Sequence, residues 1–118
     1  MPVRSLQQSV LRWPKPEQVL AQAETWAVAQ RESHPDLTRV GVFGSYGRGD
    51  ASVGSDIDLL LVDESATGSQ SERLRHWPLE QLPLSCDALV LTSVELESLL
   101  ASDSRMAQEL KGDLRWIL

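Results

Sequence analysis

The chain has 118 residues, 42% hydrophobic and 24% charged, a composition that suits one folded domain rather than a disordered or membrane-spanning polypeptide. Its 17 acidic residues against 11 basic ones leave a formal charge of −6, which argues against a polymerase held on long nucleic acid by counterion release. The single cysteine, Cys86, can form no internal disulfide, and there is neither a signal-peptide run nor a stretch near the roughly 20 apolar residues of a membrane span, so the expected setting is cytoplasmic, away from any membrane.

Residues 1 to 14 show no clear period, and Pro14-Lys15-Pro16 reads as a stiff lead into a helix. Pro16 suits a first helical position and Glu17 the positive end of the dipole. Val19, Leu20, Ala23, Trp26 and Ala27 recur at helical spacing, and Pro35 should stop the helix near Ser33. Three short apolar runs bounded by turn residues, Arg39 to Phe43, Ile57 to Val62 and Leu84 to Leu91, predict strands. A polar stretch from Glu64 to Ser71 leads to a short helical piece around Glu72 to Trp77 that Pro78 should end. Thr92 with Glu95 forms a capping box ahead of Leu96, Leu99 and Leu100. Ser102-Asp103-Ser104 can cap a further helix carrying Met106 and Leu110, closed by Gly112, and Leu114 to Leu118 is apolar enough for a last strand or a fraying terminus. The expected organisation is one α/β domain over residues 1–118, with its motif core at 38–92.

The chemistry concentrates between Gly44 and Asp58. Gly44-Ser45-Tyr46-Gly47-Arg48-Gly49 follows a strand and forms a glycine-rich turn, where backbone N–H groups often hold phosphate. A Walker loop is excluded, because Asp50 and Ala51 stand where lysine and a hydroxyl residue are required. The dinucleotide fingerprint fails as well, with Ser52 in place of its third glycine. Beyond the turn, Asp56-Ile57-Asp58 opens an apolar strand, so the two aspartates share a face roughly 7 Å apart. Asp87 interrupts the third apolar run and joins them if the second and third strands are neighbours. Clustered carboxylates repel one another and call for cations, and magnesium, with its preference for hard oxygen ligands, is the expected one.

Gly44-Ser45, a ten-residue spacer containing Arg48-Gly49, Ser55-Asp56-Ile57-Asp58-Leu59 and the later Asp87 together resemble the polymerase-β-like nucleotidyltransferase superfamily, and within it the minimal nucleotidyltransferases. The resemblance implies a mixed sheet of three to five strands flanked by helices, with Gly44, Ser45 and Arg48 binding ATP and Asp56, Asp58 and Asp87 as catalytic ligands of two magnesium ions. It further implies an antitoxin that transfers AMP to a HEPN-type ribonuclease toxin. Transfer to a small-molecule hydroxyl, or a partner-binding antitoxin without catalysis, are the alternatives. Gly47 departs from the alanine of many relatives, with a floppier phosphate turn as the expected consequence. His34 and His76 suggest no zinc site, Cys86 reads as a packing residue, and Trp13, Trp26, Trp77 and Trp116 read as core or interface. Asp50, Asp63 and Glu64 read as loop charges outside the site.

Overall fold

The computed structural model describes residues 14–118, so the aperiodic N-terminal segment and Trp13 lie outside the described residues. Helix α1 (Pro16–Ser33) begins where expected, its first turn closed by the Lys15 N–H donating to Gln18 Oε1 at 2.8 Å. Its buried side chains are Val19, Ala23, Trp26 and Ala27, the stripe read from the 3.6-residue spacing. Strand β1 (Leu37–Phe43) starts two residues before the predicted Arg39, because an irregularity in the ladder between Leu37 and Arg39 hides the period there. A short helix α2 (Gly44–Arg48) follows at once, and strand β2 is Ile57–Asp63.

Helix α3 is Gln70–Leu74, earlier and shorter than the predicted piece, because Ser69 caps it by accepting from the Glu72 N–H at 3.2 Å and the chain leaves it at Arg75. Trp77 is therefore not helical; a 3₁₀ turn (Leu79–Gln81) comes next, then strand β3 (Cys86–Leu91). Leu84 belongs to the lead-in and not to the strand, though it is buried. Helix α4 (Ser93–Leu100) carries the expected capping box, with Thr92 Oγ1 accepting from the Glu95 N–H at 3.1 Å and Glu95 Oε1 from the Thr92 N–H at 2.8 Å. Helix α5 (Arg105–Asp113) is capped by Ser104 and runs through Gly112 to Asp113, and strand β4 (Arg115–Trp116) is the last of the described elements.

The four strands form one mixed sheet in the order β3-β2-β1-β4, with β2 and β3 parallel and the other two pairs antiparallel. Strand alternation divides the core in two. Val40, Val42, Ile57, Leu59, Leu61 and Val90 pack with α1 and Trp77, and on the other face Phe43, Leu60 and Val62 pack with Leu96 of α4 and Leu110 of α5. Among the described residues no helix is long and apolar enough to cross a membrane.

Candidate active site

The register of the sheet decides where the acidic residues meet. Asp58 of β2 stands directly opposite Asp87 of the parallel strand β3, at the roughly 5 Å spacing of neighbouring strands. On its other side it faces Phe43, the last residue of β1. Leu60 and Val62 on β2, with Leu89 and Leu91 on β3, belong to the cluster beneath α4 and α5, so alternation puts Asp58 and Asp87 on that same face. Asp56 lies exposed just before β2. Ile57, Cys86 and Ala88 turn to the opposite core.

Asp58 is half-buried, and its carboxyl is held above the usual aspartate range. Burial is the largest cause, followed by the fields of Asp87, Glu109 and Asp56, with Arg48 opposing them. The charge of each expected partner is thus felt at Asp58, together with that of Glu109, which sequence reading did not single out. Glu109 sits on α5 and would pass for one more charge on a solvated helix face; its place at the site follows only from α5 docking against α2 and β1.

What the sequence presents as a glycine-rich turn is folded as α2, whose first N–H groups lack intrahelical acceptors, as in any helix. Gly44 is at φ +63°, and a Cβ there would collide with Asp58 Oδ2. Its glycine identity therefore serves both the reversal out of β1 and the close approach of the carboxylate. Gly49, at φ +84°, ends α2 in the left-handed conformation with its N–H bonded to the Ser45 carbonyl at 3.1 Å. Tyr46 is fully buried and its hydroxyl donates to the Ser55 carbonyl at 3.4 Å, tying the loop before Asp56 back to α2.

Gly47 sits in close packing, a constraint that the expectation of a floppier turn leaves out. A Cβ at this position would collide with the Asp113 carbonyl oxygen and meet that of Val42 at 2.9 Å, so the residue is small because α5 ends directly against α2. Arg48 is exposed, with Nε donating to Asp50 Oδ2 at 3.2 Å and Nη1 to Asp113 Oδ2 at 3.0 Å. Asp50, read as a loop charge, is thus a partner of Arg48, and Asp113 is a second residue that sequence reading missed.

The donor chemistry at this end of the sheet suits a hard divalent cation, consisting of carboxylate oxygens without imidazole or thiolate. The Cys86 thiol lies on the other face and is pushed up to about 12, chiefly by burial and then by Asp87 and Asp58. Among the described residues, no three His, Cys, Asp or Glu side chains are close enough as they stand to hold a metal ion. Asp58 and Asp87 share a face, Asp56 stands just outside β2, and the three form no closed cage. An open cleft of about 540 Å³ adjoins Asp56, walled by Gly54, Leu79, Leu82 and Cys86.

The remaining side chains have structural places. Asp63 accepts from the backbone N–H and hydroxyl of Ser65, and Glu64 from the Ser93 N–H at 3.0 Å. His34 packs on the Trp77 ring at 4.7 Å between centroids, and Trp26 Nε1 donates to the Pro78 carbonyl. Trp116 lies beneath the Arg39 guanidinium at 3.6 Å. Arg73 is buried, with a two-pronged pair to Glu95 at 2.7 and 2.9 Å.

The family described as nucleotidyltransferase domain matches residues 27–110. The chain is 33% identical over 96 residues to the bifunctional uridylyltransferase/uridylyl-removing enzyme of Streptomyces coelicolor, a match covering 73% of this chain and only 11% of that enzyme's length. A crystal structure from Sulfolobus solfataricus, of a protein assigned as a nucleotidyltransferase, superposes with a TM-score of 0.60 at 27% identity, over 70% of this chain and 75% of that one. A toxin–antitoxin structure with AMP-PNP superposes with a TM-score of 0.54 over 80% of this chain and 72% of that one. At its 17% identity the likeness is one of fold.

Proposed function

The chain belongs to the nucleotidyltransferase domain family, and on that premise we propose that it transfers AMP from ATP to a hydroxyl of a protein partner, acting as the antitoxin of a HEPN-type ribonuclease toxin in the cytoplasm. The observation that carries the catalytic part is the pairing of Asp58 with Asp87 across two parallel strands, beside a Gly44 whose Cβ would run into the Asp58 carboxylate. The partner reading draws support from the shared fold of the toxin–antitoxin structure.

In this reading Gly44 and Ser45 receive the triphosphate at the start of α2, and Arg48 offsets its charge. Asp56, Asp58 and Asp87 would hold the magnesium. Two magnesium ions, when held there, would lower the pKa of the acceptor hydroxyl and offset the charge developing on pyrophosphate. The acceptor oxygen forms a bond to the α-phosphorus as the bond to the bridging oxygen breaks, and the hydroxyl proton leaves to solvent or a nearby base. Asp58 is poised for this role, because the same neighbours that raise its pKa favour a bound cation over a third unpaired charge. The chain's own residues position the reactants, and the open cleft beside Asp56 leaves room for a macromolecular acceptor.

The test is incubation with magnesium and labelled ATP or UTP beside the polypeptide encoded by the neighbouring reading frame, comparing wild type with Asp56→Ala and Asp58→Ala. Label should pass from ATP to the partner and be lost in both folded variants. Partner neutralisation that survives in both variants would replace catalysis with simple contact, and preference for UTP would change the group transferred.

A further inference from the structure

A lone arginine on a five-residue helix is a poor phosphate ligand unless something orders it, because its long side chain loses rotamer freedom on binding. Arg48 is ordered from two sides. Asp50 holds Nε, yet its side chain is 62% exposed and lies in a loop. Asp113 holds Nη1, is only 15% exposed, and ends a helix whose last carbonyl already abuts Gly47. Among the described residues Nη2 makes no hydrogen bond, so one donor group of the planar fork remains available. Arg48 also acts by its charge on Asp58, as the weakest of the influences there, which puts the guanidinium within electrostatic reach of that carboxylate.

We propose that Asp113 is a positioning residue, which holds Arg48 through Nη1 so that the rest of the guanidinium receives a phosphate oxygen of the bound triphosphate. This rests on the nucleotide-binding reading above. The close contact at Gly47 makes the arrangement possible, since it sets the end of α5 against the phosphate-binding helix and gives the acceptor oxygen a fixed place. An ordinary surface ion pair would be indifferent to nucleotide; this one contributes to affinity by ordering Arg48 beforehand.

The experiment is calorimetric titration of the full chain with magnesium and a non-hydrolysable ATP analogue, for wild type, Asp113→Asn, Arg48→Gln and the double variant. Each single change should weaken binding on the order of 10-fold, and the double should bind no worse than Arg48→Gln alone. In the transfer assay Asp113→Asn should raise KM for ATP with kcat nearly unchanged, and Asp113→Glu should recover part of the loss. Asp113→Asn with wild-type affinity, losses that add in the double variant, or an effect confined to melting temperature would each overturn the proposal. Failure of wild type to bind the analogue would overturn it together with the phosphate reading. Binding without transfer would sink only the acceptor chemistry, and the coupling between the two residues would still decide the role of Asp113.

Discussion

Replacing Gly44 by alanine tests the link between the backbone and the carboxylates. At φ +63° an alanine pays about 1–2 kcal/mol for the left-handed conformation. Its Cβ would also collide with Asp58 Oδ2, and turning that side chain off its rotamer costs about 1 kcal/mol more. The sum, about 2–3 kcal/mol, should lower the melting temperature by roughly 8–12 °C in a domain of this size. Gly49 supplies the control, because it has a positive φ of 84° but nothing within 4 Å of an added Cβ. Gly49→Ala should lose only the backbone part, about 1–2 kcal/mol or roughly 4–8 °C. The two variants should diverge further in function. Displacing Asp58 misplaces a reacting group, which costs on the order of 100-fold in transfer, and Gly49→Ala should stay near the wild-type rate. Circular dichroism melts and the labelled-ATP assay read both quantities. Equal losses of transfer in the two variants, or a Gly44→Ala protein as stable and active as wild type, would refute the reasoning.

Asp58→Asn should raise the melting temperature in EDTA at neutral pH while abolishing transfer. Because the folded-state pKa of Asp58 is raised, ionising it costs the folded protein; the cost is absent below the ordinary aspartate value and complete above the raised one. The stability gap between variant and wild type should therefore open as pH rises through that window, and a gap that does not change with pH would count against it. Glu95 behaves in the opposite sense, since Arg73 and then the Thr92 N–H hold its carboxyl down to about 2. Its contribution is full above the ordinary glutamate range and is lost as pH falls toward that value. Glu95→Gln should accordingly be less stable than wild type at pH 7 and approach it under acid, as measured by urea unfolding at several pH values.

The locally encoded parts of the fold were legible in the residues. Pro16 and Pro35 bracket α1, and Thr92 with Glu95 starts α4, because caps and proline act within one turn of chain. Alternation correctly put Asp58 and Ile57 on opposite faces. The short α3 starts earlier than its apolar pattern predicts because Ser69, three residues before Glu72, forms the same kind of cap that Thr92 forms for α4. Gly112 predicts a helix end by its identity, and the helix instead continues through it to Asp113.

The candidate residues Gly44, Ser45, Asp56 and Asp58 stand out by residue type and spacing, since they are near one another in the chain. How they meet their neighbours depended on the packing of distant segments. Asp87 reaches Asp58 through a parallel ladder, Glu109 acts on it through the docking of α5, and Asp113 holds Arg48 from 65 positions away. Even the reason for Gly47 lies in a carbonyl on that far helix. Short-range periodicity and turn chemistry leave a mark on consecutive residues, whereas contacts closed by burying two helix faces on a sheet leave none until the chain has folded.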